Sequence, residues 1–135
     1  MPDFVYNNAR VQFARKNWDW LALPVNAALL TADYTPLSSH VNISDVNPSA
    51  IVVRDKALVG LGVTSYGAVY GAIPQFLSLI SSSPVAAILL YSLGANDNIS
   101  PLIYYSSGGL GFPFAPSSLN WNVGYDATNG GWFQV

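Results

Sequence analysis

Ser83-Pro-Val-Ala-Ala-Ile-Leu-Leu-Tyr-Ser-Leu93 is the stretch from which the rest of this chain can be read. It is an uncharged run opened by Pro84 and closed by Gly94-Ala-Asn-Asp-Asn98. Such a run is too short to cross a bilayer, and its length and flanks are those of a strand buried on both faces. A second run, Pro101-Leu-Ile-Tyr-Tyr105, follows the polar turn, so the two are expected to pair as neighbours.

Working outward, further strand signals appear on both sides of this pair. Residues 25–30 alternate after Pro24, and Ile51-Val-Val53 is β-branched throughout. In residues 58–63, Val59, Leu61 and Val63 are expected to line one face, with glycines on the other. Val69-Tyr70 and residues 75–80 give two segments divided by Pro74. Leu119, Trp121 and Val123 alternate with Asn120 and Asn122, and Trp132-Phe-Gln-Val135 forms a terminal strand. Val41 and Ile43, between His40, Asn42 and Ser44, predict a short edge strand. Asp33-Tyr-Thr-Pro-Leu-Ser-Ser39, Ser44-Asp-Val-Asn-Pro48 and Asp126-Ala-Thr-Asn-Gly-Gly131 are turn-rich. Gly108-Gly-Leu-Gly-Phe-Pro-Phe-Ala-Pro116 reads as an ordered loop, because Phe112 and Phe114 need a dry environment. Ahead of the strands, residues 6–17 predict a helix capped by Asn7 or Asn8, with Arg15 and Lys16 in its last turn. The whole describes one all-β domain over residues 1–135: a β-sandwich or jelly roll of about eight short strands in 25–135, preceded by that N-terminal helix.

Charge is the outlier in composition. Charged residues make up 9% of the 135, against about 25% in an average soluble domain. All five basic residues (Arg10, Arg15, Lys16, Arg54, Lys56) precede position 57, and beyond it only Asp97 and Asp126 are charged. Few charges make poor colloidal stability for a lone chain, so burial against other subunits is expected: a homo-oligomer, trimer before dimer. Residues 57–96 carry no charge, yet Pro74, Pro84, the serines at 81–83 and Gly60, Gly62, Gly67 and Gly71 interrupt them, which argues against a membrane span. Pro2-Asp3 after Met1 lacks the pattern of a secretory leader. With a net charge of −2, five dispersed cations cannot neutralise a phosphate track, so nucleic acid is not expected as a partner.

Residues that carry chemistry are sparse. His40 is the single histidine, and no spacing to Asp33 or Asp45 suggests a triad or metal site; a hydrogen-bonded or exposed loop histidine is expected. All seven acidic residues are aspartates scattered through turns, so neither a catalytic residue nor a metal or cofactor site is assigned. Asp97 and Asp126 read as turn residues rather than calcium ligands. Asn42-Ile-Ser44 and Asn98-Ile-Ser100 match the glycosylation sequon without a secretory context. The eight tyrosines and four tryptophans are expected mainly in the core or at a subunit interface, with glycan stacking as the sharper alternative. Trp18 and Trp20 are read mainly as closing the bottom of the core.

The order of segments resembles a family of small structural proteins in the virions of tailed bacteriophages. The likeness rests on Tyr6-Asn-Asn-Ala-Arg10 to Trp20-Leu21, Val25 to Leu30, Ala32-Asp-Tyr-Thr-Pro36 and His40-Val-Asn-Ile-Ser-Asp-Val46. It continues in Ala86 to Tyr91, Ser100-Pro-Leu-Ile-Tyr104, Asn120-Trp-Asn122 and Trp132-Phe-Gln-Val135. The resemblance implies a non-enzymatic capsid decoration or cement protein, made in the host cytoplasm and placed on the outer surface of the capsid. Its partner would be the major capsid protein. Arg10, Arg15, Lys16, Trp18, Trp20, Phe112 and Phe114 are the candidate capsid or subunit contacts. The alternative is a fibre or tail-tip module that reads a receptor glycan. The chain departs from such relatives in its uncharged 57–96 segment, where they carry acidic and threonine-rich positions, and this implies more subunit burial here.

Overall fold

The computed structural model describes residues 3–63, 68–76, 84–107, 121–125 and 133–134. Along these, the elements run β1 (Asp3–Val5), α1 (Asn7–Ala14), β2 (Val25–Leu30), β3 (Ile51–Ala57), β4 (Val59–Val63), β5 (Ala68–Phe76), β6 (Ala87–Ser92), β7 (Leu102–Ser106), β8 (Trp121–Tyr125) and β9 (Phe133–Gln134). Among the described residues the protein is mostly β with one α-helix. A five-stranded antiparallel sheet has the order β1-β7-β6-β2-β3. In a second sheet, β4, β5 and β8 lie side by side, and β9 also pairs with β5.

The expected central pair is there. β6 and β7 are antiparallel neighbours, and every residue of both is buried, as is every residue of β2. Paired residues of antiparallel strands share a face. Register therefore places Phe4, Tyr105, Leu89 and Ala28 in one row across four strands, and Val5, Tyr104, Leu90 and Ala27 in the neighbouring row on the opposite face. Packing of Tyr34 against Tyr105 brings the 34–40 loop over the first of these faces.

Several local expectations are corrected. The helix is shorter than 6–17, and a strand, β1, precedes it. Neither asparagine caps it: Tyr6 is the N-cap and makes no side-chain cap bond, because its ring is committed to the core. At the other end, Lys16 takes a left-handed conformation (φ 59°), with Lys16 N–H bonded to the Phe13 carbonyl and Asn17 N–H to that of Gln12. This is a Schellman closure. It puts Arg15 and Lys16 just past the helix rather than in its last turn. The predicted strand at 40–44 is a 3-10 turn, Ile43–Asp45, with one bridge from Asn42 to Pro101. Asp45 bends the chain there by accepting the Val41 and Asn42 N–H groups. β5 runs unbroken through Pro74, and a register shift against β8 between Ile73 and Phe76 accommodates the missing N–H. In β4 Val59 and Val63 are exposed and Gly62 is buried, which fits the expected division of valines and glycines between two faces and turns the valines outward. A bulge between Val59 and Gly62 breaks the simple alternation. Of the nine strands described, eight (β2 to β9) fall within 25–135, and β1 is the addition ahead of the helix.

The turn between β6 and β7 is wound around Ser100. Its hydroxyl donates to the Asn96 carbonyl and accepts from the Gly94 N–H. A Cβ at Gly94 would lie 2.1 Å from the Ile99 carbonyl oxygen, so the backbone itself forbids a side chain there. Among the described residues, no helix is long and apolar enough to cross a membrane.

Two substitutions test this frame. Leu89→Ala, on the fully buried strand β6, is expected to cost about 3 kcal/mol in denaturant unfolding. Gly94→Ala is expected to cost about 2 kcal/mol, because backbone rather than a flexible side chain must move. A Gly94→Ala protein as stable as the parent would contradict the close approach.

Candidate functional site

Two features concentrate polar chemistry in this charge-poor chain, and a third gathers the residues singled out from sequence. The first is built on β3, an edge strand. Between Val53 and Lys56 this strand carries one residue more than the facing segment of β2, and Asp55 there has φ 64°. A positive φ at a non-glycine residue marks strain that surrounding contacts must hold. Here they are specific. Asp55 N–H donates to the Tyr91 hydroxyl at 2.8 Å, and that hydroxyl donates to the Asp55 carboxylate. Arg54 Nε reaches the same carboxylate at 2.9 Å. Its two terminal nitrogens form a fork with Asp97, at 3.1 and 3.0 Å. The guanidinium carbon sits 5.6 Å from the centre of the Tyr91 ring.

The electrostatics follow from those contacts. Burial would raise the Asp55 carboxyl, but the Tyr91 and Arg54 bonds outweigh it and hold it below the ordinary carboxylate range. The Asp97 fork is the main reason the Arg54 guanidinium is held even more firmly protonated than usual. Burial, followed by the bond to Asp55, pushes the Tyr91 hydroxyl upward. Each charge is thus matched, and the geometry is that of a clasp pinning β3 to β6 and to the β6–β7 turn. Asp97 serves an arginine here, consistent with its reading as a turn residue.

The second feature is a chain of aromatic groups. Tyr6 and Tyr34 hydroxyls lie 3.0 Å apart, and Tyr34 is 2.7 Å from Nδ1 of His40. Phe4 packs edge-on to Tyr6 and against Tyr105, and Tyr34 packs against Tyr105 and His40. Burial is the main cause of the upward shift of both the Tyr6 and the Tyr34 hydroxyls. His40 is the hydrogen-bonded loop histidine expected from sequence.

The third feature lies at the end of the five-stranded sheet where β6 hands over to β7. β1 runs toward the start of β7, and β2 begins opposite the end of β6, so α1 and the 19–24 turn both meet this end. Arg10, Arg15 and Lys16 are exposed there, and Arg10 donates to the Val5 carbonyl. Trp18 is half-buried, edge-on to Phe13 at 5.5 Å. Trp20, at 2% exposure, belongs to the core and presents no surface in the folded chain. Phe112 and Phe114 lie outside the described residues.

The structure adds exposed aliphatics that sequence reasoning missed: Leu21, Val41, Leu93 and Ile99, the last 56% exposed. Leu93 N–H bonds the Pro24 carbonyl, Leu102 N–H bonds that of Val41, and Ile99 lies against Gly94, which places all four at this same end. Of these, only Ile99 carried a signal in the sequence, as a large apolar residue inside the polar 94–100 turn. Tyr6, Tyr34, Tyr91, Tyr104 and Tyr105 are buried and offer no stacking surface.

Comparison with known proteins finds no family model, no curated protein and no solved structure that matches this chain.

The clasp makes an ordered prediction. Tyr91→Phe removes a hydroxyl bonded to Asp55 through both backbone and side chain, and is expected to cost about 1–2 kcal/mol. Asp97→Asn weakens an exposed fork and is expected to cost no more than about 1 kcal/mol, less in high salt. Because the folded-state Asp55 carboxyl is lowered, its contribution is present above the unfolded value near pH 4 and is lost as the pH falls further. Urea titrations at pH 7 and pH 3 check both the ranking and the sign.

Proposed function

We propose that this protein is a non-enzymatic structural component of a tailed-bacteriophage virion, a decoration or cement protein carried on the outer capsid surface as a homo-oligomer, trimer before dimer. Its two sheets are read as a β-sandwich of the jelly-roll kind. The observation that carries the reading is the sheet end just described, where the cations of α1 and its exit, together with Asp19 of the next turn, share one end with exposed Leu21, Leu93 and Ile99 in a chain with only 9% charged residues. Cations beside an apolar rim fit an acidic, partly apolar protein surface, and the resemblance to virion proteins supplies that surface as the major capsid protein.

The mechanism is passive. Each bound copy removes apolar area from water, worth about 25 cal/mol per Å2 before the cost of association is subtracted. Binding to assembled but not to disassembled subunits then stabilises the shell by mass action. The helix cations contribute mainly to encounter rate and orientation.

Titration onto decoration-free capsids is expected to give saturable binding. The double change Arg15→Glu with Lys16→Glu, both on exposed positions, is expected to weaken it about tenfold at low salt. Absence of saturable binding by the parent protein would overturn the proposal. A solution mass of one chain would overturn the homo-oligomer part alone.

A further inference from the structure

We propose that the Tyr6–Tyr34–His40 chain is a pH-operated latch that ties the N-terminal segment to the 34–40 loop and opens when His40 takes up a proton. The inference is independent of any role in a virion. It begins from direction in a hydrogen-bond chain. With a neutral imidazole whose Nδ1 accepts, Tyr34 donates to His40 and Tyr6 donates to Tyr34, so each hydroxyl proton has an acceptor. No buried side-chain nitrogen or oxygen among the described residues lacks a partner.

Protonation removes that arrangement. Nδ1 becomes a donor to Tyr34. The two hydroxyls then hold two protons but only their one mutual bond to place them in, so one proton, on Tyr6 (0% exposed) or Tyr34 (4% exposed), loses the acceptor it had. An orphaned buried hydroxyl disfavours the closed state by roughly tenfold to a hundredfold.

The surroundings supply the alternative. Among the described residues, the titratable groups that act on the two tyrosines are Tyr105 from β7 and Asp45 from the 3-10 turn, besides each other. Tyr105 is a neutral phenol in this range. Asp45 accepts the Val41 and Asn42 N–H groups, which hold its carboxyl below the ordinary range, and His40 is near enough to add to that effect. Held by those two N–H groups, the carboxylate offers a charged imidazole a partner other than Tyr34. Once Tyr34 is released, the bond from Asn7 N–H to the Ser38 carbonyl is left as the other tie between loop and N-terminal segment.

The test is hydrogen exchange on the full chain at pH 7.5 and pH 5.0, corrected for intrinsic exchange, with the Asn7 amide compared with that of Leu90 in β6. The ratio of Asn7 to Leu90 protection is expected to fall about tenfold at the lower pH. In His40→Gln, a change at a half-exposed site that keeps a hydrogen-bonding side chain, the ratio is expected to stay constant. Tyr34→Phe is expected to lower Asn7 protection at both pH values. A parent ratio that does not change with pH, or a fall of equal size in His40→Gln, would overturn the latch.

Discussion

Burial of β6 on both faces is the constraint on which the rest of the structure depends. An antiparallel sheet commonly leaves one face to water, yet here β2, β6 and β7 leave none. Each face then needs cover from elsewhere in the sequence, and short local connections cannot supply it. On one side, Phe4, Tyr6 and Tyr34 gather about Tyr105, so the N-terminal segment and the 34–40 loop are drawn in from opposite sides of α1. The helix is short, and its N-terminus is uncapped by any side chain, because Tyr6 serves the sheet rather than the helix. Tertiary burial overrides local propensity at that residue.

Using tyrosines as cover creates a second requirement. A buried phenol contributes apolar area only if its hydroxyl finds a partner. The chain meets this in two places by different means. The Tyr6 hydroxyl bonds that of Tyr34, which in turn bonds Nδ1 of half-buried His40. Tyr91 is met by Asp55, which must take a left-handed conformation to offer both its N–H and its carboxylate. The strain at Asp55 and the bulge in β3 are thus tied to burial of β6. The same bulge and the charges of Arg54, Asp55 and Lys56 also make β3 a poor template for further strand pairing at that edge.

The parts of this fold that were legible in the sequence are those decided by local pattern. The uncharged run at 84–93 and its partner at 101–105 are buried strands because nothing polar interrupts them. The helix was visible through its spacing, although its ends were not: termination rests on Lys16 adopting a conformation usually given to glycine. Val41 and Ile43 alternate as a strand would, but the Asp45 carboxylate competes for the backbone and turns it. Pro74 looked like a strand break because a missing N–H is costly inside a ladder, and the register shift that absorbs it is not local information. At the sheet end, Arg10, Arg15, Lys16 and Trp18 could be chosen from their place near the helix. Trp20 was indistinguishable from Trp18 until its burial was known. Leu93 and Ile99 join that surface only through the meeting of three loops.

The distribution of charge then acquires a structural meaning. Beyond position 57, Asp97 is the only charge among the described residues, and Arg54 neutralises it through a two-pronged contact across the sheet. The described part of the second half therefore has almost no field of its own, either to repel another copy or to attract a ligand from a distance. The exposed charges that remain among the described residues, Arg10, Arg15, Lys16, Asp19 and Asp33 among them, all precede position 57, so any field reaching toward the roughly 10 Å over which ordinary salt screens arises from the first part of the chain.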